Sequence, residues 1–296
     1  MSDGSTITWR ALWDQTATRV SRPQARWMCE VASGHDGHEF LDVLDQPATH
    51  RGVSHLGSML ARVDAGEPLQ YVLGRWGFRH LDLMIDRRVL IPRSETESVV
   101  EIALNLARSM PLPIVCADLG AGSGAIGLSL AAELPVNGVT VWLTDASPDA
   151  IDVARANAAG IGRAGANVRL ADGDWFDALP EHLRGRLAIV VSNPPYVRDE
   201  DPELEPIVRE WEPGAALFAG ADGLDAIRRI VADAPGWLQP GGWLVLEIGS
   251  AQGGHVAELL TGASFEEVTI SADLGGHDRV AVARRSAASQ ANRAAT

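Results

Sequence analysis

Asp118-Leu119-Gly120-Ala121-Gly122-Ser123-Gly124 follows an apolar run, Ile114 to Asp118, and leads into a helical stretch, Ala125 to Glu133. A glycine-rich turn between strand and helix lets the backbone bend sharply and approach a ligand closely, because glycine has no Cβ. Outward from this turn, apolar strand candidates recur at Val139 to Thr144, Val168 to Leu170, Leu187 to Ser192, Trp243 to Ile248, Glu267 to Ile270 and Arg279 to Ala283. Helical stretches separate most of them, notably Pro148 to Ala158, Gly223 to Leu238 and Gln252 to Leu260. Such alternation predicts an α/β fold whose mostly parallel sheet is covered by helices on both faces. The last two candidates are joined by a short loop around Gly275-Gly276, which suits an antiparallel hairpin at the sheet edge. The expected sheet is therefore seven-stranded and mostly parallel, with an antiparallel edge strand.

Upstream, residues 8 to 66 have helical periodicity. Apolar side chains recur in Trp9-Ala11-Leu12, in Ala25-Trp27-Met28-Val31 and in Val53-Leu56-Met59-Leu60-Val63. Ser21-Arg22-Pro23 has the form of an N-cap with proline early in a helix, while Gly34 to Gly37 and Gln46-Pro47 are breaks. Gln70-Tyr71-Val72-Leu73-Gly74 and Leu81-Asp82-Leu83-Met84-Ile85 are expected to be two short strands around a turn. The predicted organisation is a helical domain over 1–68, the candidate for substrate recognition, a β-hairpin linker over 69–93 and a main domain over 94–285. An Ala/Ser/Gln-rich tail, 286–296, is expected to be disordered.

A chain of 296 residues accommodates a main domain and a smaller one. It has no apolar run long enough to span a membrane, and Met1-Ser2-Asp3-Gly4-Ser5 lacks the pattern of a secretory signal. Cys29 and Cys116 lie in apolar surroundings and are expected to be buried free thiols of a cytoplasmic protein, with no metal site. The formal net charge is -14. Nucleic-acid binding draws most of its affinity from neutralising phosphates, so direct binding of that kind is not expected. The acidity suits a basic protein partner, or serves solubility alone.

Gly120, Gly122 and Ala125 also satisfy the dinucleotide pattern G-x-G-x-x-A, so the loop by itself leaves NAD and S-adenosylmethionine both open. Two details favour the second. Asp118 stands at the strand end, where a carboxylate can meet the ammonium of a methionine moiety. The glycines fall at every second position, D-x-G-x-G-x-G, which resembles the first motif of class I methyltransferases. Asp145 ends the next strand, where a carboxylate can accept both ribose hydroxyl protons. Its other role would be to cap the helix from Pro148, which Ser147 can equally do. In Asp174-Trp175-Phe176 the acid can accept an adenine amino proton and Trp175 offers a flat face, or else simply packs in the core. The expected cofactor contacts are Asp118, Gly120, Ala121, Gly122, Ser123, Gly124, Asp145, Asp174, Trp175 and Asn193.

The strand Leu187 to Ser192 runs into Asn193-Pro194-Pro195-Tyr196. Central strands of an open parallel sheet present ligands at their carboxyl ends, so this loop should face the methyl donor. A planar –NH2 has a delocalised lone pair and two N–H donors. The side-chain oxygen of Asn193 and the carbonyl of Pro194 can accept both. Prolines remove competing N–H donors and stiffen the loop, and Tyr196 can wall the planar group. In isolation the same residues would make a plain turn. Asn193, Pro194 and Tyr196 are thus the catalytic candidates, with Asn193 to Tyr196 as the substrate-binding set.

Together these motifs resemble the release-factor glutamine methyltransferases, the HemK-type N5-glutamine methyltransferases, over roughly residues 20 to 285. Gly66-Glu67-Pro68-Leu69-Gln70-Tyr71, Leu90-Ile91-Pro92-Arg93-Ser94-Glu95-Thr96-Glu97, the glycine loop, Asp145, Asp174-Trp175-Phe176 and Asn193-Pro194-Pro195-Tyr196 carry the resemblance. Glu212-Pro213 and Ala219-Gly220-Ala221-Asp222-Gly223 fit as well. The resemblance implies a Rossmann-like class I methyltransferase domain, S-adenosylmethionine as methyl donor, and the glutamine of the Gly-Gly-Gln motif in class I peptide chain release factors as substrate. Ser94 stands where the family usually has proline and Gly77 where a glutamate is common. Arg93, Glu95 and Glu97 are candidates for fixing the linker over the site, or a helix-terminal acid cluster. Two other activities share the motif: N5-methylation of a ribosomal-protein glutamine and N6-methylation of adenine in nucleic acid. The linker motif favours the release factor over the first, and the acidic balance and short loops oppose the second.

Overall fold

The computed structural model describes residues 7–273 and 275–287; most of the predicted tail and the Met1-Ser5 segment lie outside them. The chain divides into two compact units, Met1–Arg75 and Trp76–Thr296.

The first unit contains α1 (Trp9–Thr16), α2 (Arg22–Ser33), α3 (Gly37–Asp42), α4 (His50–Asp64) and α5 (Leu69–Leu73). Ser21 and Gln24 form a reciprocal capping box at α2, and Thr8 and Thr49 cap α1 and α4. Trp9, Met28, Phe40, Leu56 and Met59 fill the core. Residues 70–73, expected with Gly74 to be a strand, belong instead to the short helix α5. Pro68 precedes it and Gly74 ends it at φ +73°. Tyr71 and Val72, adjacent in sequence, are both buried, which strand alternation on one covered face would not allow. The Arg62 guanidinium donates to the carbonyls of Tyr71 and Val72 at 2.9 and 3.2 Å. It is itself held by the buried Glu67 at 2.7 and 2.8 Å. The hairpin shifts downstream to β1 (Arg75–Phe78) and β2 (Leu81–Met84).

The second unit continues with α6 (Thr96–Arg108), β3 (Ile114–Leu119), α7 (Ala125–Glu133), β4 (Val139–Asp145) and α8 (Pro148–Gly160). β5 (Val168–Asp172), β6 (Leu187–Ser192), α9 (Pro206–Trp211) and α10 (Asp225–Trp237) follow. β7 (Leu238–Glu247), α11 (Gly253–Gly262), β8 (Phe265–Ala272) and β9 (Asp278–Arg285) complete it. The seven-stranded sheet has the order β5-β4-β3-β6-β7-β9-β8. Strands β3 to β7 pair in parallel, and the β8–β9 hairpin closes one edge with β9 antiparallel to both its neighbours. The chain leaves β3 toward β4 and β5, then returns to β6 on the other side. That switch point lies at the carboxyl ends of β3 and β6, where such sheets hold ligands. Register pairs Leu119 with both Thr144 and Ser192, so the loops after β3, β4 and β6 emerge level with one another. Ser192 Oγ donates to the Leu119 carbonyl at 2.6 Å and ties two of these ends together.

Two polar anchors place the hairpin in this unit. Arg79, at φ +50°, binds Glu133 at 2.7 and 2.8 Å and Glu101 at 2.9 Å, reaching α7 and α6. The Asn157 amide, buried on α8, pairs with both backbone groups of Met84 and donates to the Ser123 carbonyl at 2.9 Å. One side chain therefore joins β2, the glycine loop and α8. Cys29 and Cys116 are buried free thiols, and loss of hydration pushes each up to about 12. Among the described residues no helix is long and apolar enough to cross a membrane.

Candidate active site

The glycine loop takes the conformations that glycine permits: Gly120, Gly122 and Gly124 lie at φ +70°, +54° and +85°. A Cβ on Gly120 would stand 3.1 Å from the Trp175 ring. The loop borders a cavity of about 310 Å³ whose walls include Gly120, Ala121, Gly122, Ser123, Asp145, Asp174, Trp175, Asn193 and Pro195. Nine of the thirteen predicted site positions thus share one cavity, contributed by the ends of β3, β4, β5 and β6. Asp118, Gly124, Pro194 and Tyr196 do not line it.

Asp118 is buried beneath the loop. Its Oδ2 accepts the N–H of Gly127 at 2.8 Å, while Oδ1 has no hydrogen-bond partner among the described residues. Burial pushes this carboxyl up to about 7. Asp145 accepts the N–H of Gly122 at 2.8 Å on one oxygen and that of Ser147 at 2.9 Å on the other. Ser147, not Asp145, caps α8, with its hydroxyl accepting from Ala150. A carboxylate has about four lone-pair sites. The backbone takes two, so Asp145 retains one on each oxygen at the cavity wall. Partial burial raises its pKa as well, with the backbone donors opposing the shift.

Trp175 sits at φ +49°, a left-handed conformation that costs a non-glycine residue about 1–2 kcal/mol. Its ring lies over Gly120 at the cavity wall and is also packed against the main core. Asp174 forms an ion pair with Arg229 of α10, which also binds Asp177 at 3.1 Å.

Asn193 leaves β6 with its Nδ2 donating to Thr96 Oγ1 at 3.3 Å. The Thr96 hydroxyl donates to Glu247 Oε2 at 2.6 Å, and Tyr196 donates its hydroxyl to Glu247 Oε1 at 3.2 Å. Glu247 is buried at the end of β7, and burial raises its pKa against the pull of these hydrogen bonds and of Arg279. Tyr196 thus turns its hydroxyl to Glu247. Its main chain is held by Gln252, whose Nε2 donates to the carbonyls of Tyr196 and Gly223, both at 3.1 Å.

The opposite wall comes from Arg88, Val89, Leu90 and Pro92 of the linker and Pro213, Ala215 and Ala216. The buried Glu212 binds these two segments to each other. It accepts the Ile91 N–H at 3.1 Å and pairs with Arg93. Of Arg93, Glu95 and Glu97, it is Arg93 that makes this clasp. Glu97 instead accepts the Arg79 N–H at 3.0 Å, and Glu95 takes the exposed Ser94 hydroxyl at 2.9 Å. At Gly77 a side chain would meet open space, so neither departure disturbs the cavity.

A family model described as the methyltransferase small domain matches residues 105–210. The release factor glutamine methyltransferase of Xylella fastidiosa (strain 9a5c) is 42% identical over 274 residues, covering 93% of this chain and 97% of that relative. The chain belongs to the release factor glutamine methyltransferases. Its counterpart in Geobacter sulfurreducens is 40% identical over 261 residues, 88% of each chain. A solved methyltransferase from Pyrococcus furiosus, 16% identical, superposes with a TM-score of 0.50 over 78% of this chain and 99% of its own, which shows the shared fold. Release factor glutamine methyltransferases of this class I fold take S-adenosylmethionine as methyl donor. The cavity suits that group: positive-φ glycines allow close approach, Asp145 offers two open lone pairs, and Trp175 offers an aromatic face.

Thr96 and Glu247 went unrecognised as site residues in the sequence. Thr96 lies within the motif Leu90 to Glu97, and Glu247 is an acid ending the apolar run Trp243 to Leu246. A charge at the carboxyl end of a central strand was the available signal.

Proposed function

We propose that this protein transfers a methyl group to the side-chain N5 of the glutamine in the Gly-Gly-Gln motif of class I peptide chain release factors. The observation that carries this reading is the presence of Asn193 in the same cavity as the glycine loop and Asp145. S-adenosylmethionine, when bound, supplies an electrophilic methyl group on a positively charged sulfur. Gly120 to Gly124, Asp145 and Trp175 would hold it, with the Asp145 carboxylate accepting the ribose hydroxyls. Asn193 Oδ1 and the Pro194 carbonyl accept the two N–H groups of the substrate amide and thereby aim its nitrogen. The methylated nitrogen is strongly acidic and sheds one proton to solvent, so the site needs no strong base. Alignment and exclusion of water then do most of the work, an effect that reaches about 7–11 kcal/mol when geometry is good. The reading implies a cytoplasmic enzyme with a protein substrate.

The test is side-by-side incubation of the enzyme and labelled S-adenosylmethionine with release factor, ribosomal proteins and DNA. Label is expected on the release factor and lost when its Gly-Gly-Gln glutamine is replaced. Label on DNA or a ribosomal protein, with none on the release factor, overturns the proposal.

A further inference from the structure

The chain of hydrogen bonds behind Asn193 has a forced direction. An ionised Glu247 can only accept, so Thr96 must donate its one hydroxyl proton to Oε2, at 2.6 Å. Having spent that proton, Thr96 Oγ1 can only accept from Asn193. The side-chain nitrogen must therefore face Thr96, as it does at 3.3 Å, and Oδ1 is left for the cavity. Were the amide reversed, its oxygen would meet a hydroxyl with no proton to give. Tyr196 donates to the other Glu247 oxygen and so holds the carboxylate from the far side at 3.2 Å. Glu247 sits on β7 and Thr96 begins α6, so the orientation of Asn193 is set by two elements outside its own loop.

We infer that Thr96 and Glu247 are positioning residues that fix Asn193 with its oxygen toward the substrate, making the site selective for a side chain that donates N–H. This rests on the proposed grip of Asn193 on the substrate amide. A glutamate in place of the glutamine would bring carboxylate oxygens against Oδ1 and be refused. Thr96 acts through Asn193, so its loss should lower turnover without weakening the cofactor site.

The experiment compares Thr96→Val, Thr96→Ser, Thr96→Ala and Asn193→Ala by kcat and KM on release factor, cofactor Kd and thermal melting. Valine matches threonine in shape but cannot bridge Asn193 to Glu247. Thr96→Val should retain wild-type cofactor affinity and lose kcat by about 10- to 100-fold, the range of one misdirected hydrogen bond. Thr96→Ser should restore kcat to within about threefold, since it keeps the hydroxyl. Should valine fail to fold, Thr96→Ala takes its place and should show the same loss, because alanine is well tolerated at the first residue of a helix. Full kcat in the folded valine or alanine variant overturns the inference, as does a serine variant no better than valine. Full turnover in Asn193→Ala would instead reject the amide grip itself, and the two failures are thereby distinguished.

Discussion

Replacing Asp145 with asparagine changes a single oxygen in the wall of the cavity, and its consequence can be worked out. Gly122 and Ser147 each donate a backbone N–H to one carboxylate oxygen, at 2.8 and 2.9 Å. An asparagine –NH2 must therefore oppose one of these donors in either orientation. One backbone bond is lost, and with it one of the two lone pairs left for the ribose. A hydrogen bond to a charged acceptor contributes about 1.5–3 kcal/mol. The ribose bond alone then corresponds to about a 10- to 150-fold rise in the Kd for S-adenosylmethionine. The lost backbone bond should lower the stability of the cofactor-free protein by about 1–3 kcal/mol. Titration calorimetry with S-adenosylhomocysteine reads the first effect and denaturant unfolding the second. A folded variant with a Kd within about threefold of wild type would refute the proposed ribose grip.

Three further outcomes follow from the same geometry. Burial raises Asp118 to about 7, so its contribution to stability is full below the unfolded value of 3.8 and is lost as pH rises toward 7. The loss is about 4 kcal/mol at most; Asp118→Asn should flatten that slope in unfolding measured between pH 4 and 8, and identical slopes would argue against it. Gly127→Ala would set a Cβ 2.6 Å from buried Leu143 and 3.0 Å from Asp118 Oδ2. Overpacking of about 1–3 kcal/mol outweighs about 1 kcal/mol of helix propensity, so the urea midpoint should fall, and a rise would show that Leu143 has room. Glu212→Ala strands the Ile91 N–H and Arg93, and should cost about 2–4 kcal/mol and raise KM for the cofactor by loosening one cavity wall. An unchanged KM would show that the wall stands without the clasp.

The strands were legible because both faces of this sheet are covered. Leu187-Ala188-Ile189-Val190-Val191 is buried throughout, and a continuous apolar run is what such a strand must be. Gln70 to Gly74 was misread because a short apolar run has no period of its own. Its helical state is stabilised by Gly74 and by Arg62, which satisfies carbonyls at the helix end. α6 starts without a side-chain cap, so in the sequence only the acids Glu95 and Glu97 mark its beginning. β7 runs longer than its apolar stretch, since it begins at Leu238 and includes Gly241 and Gly242.

The sequence by itself determined the succession of strands in the main domain, the glycine turn, the ends of β4 and β6 as candidate ligand positions, and the family. Each of these depends on local chemistry: apolar periodicity, the conformational freedom of glycine, the missing N–H of proline. Only the tertiary structure decided which polar groups face one another. Thr96 and Glu247 are 151 positions apart, and Ile91 and Glu212 are 121 apart. A buried polar group has to find a partner, but which partner depends on how the strands and helices come together. For that reason the cavity and Asn193 could be anticipated from their motifs, whereas the orientation of Asn193 emerged only once α6, β6 and β7 were packed side by side.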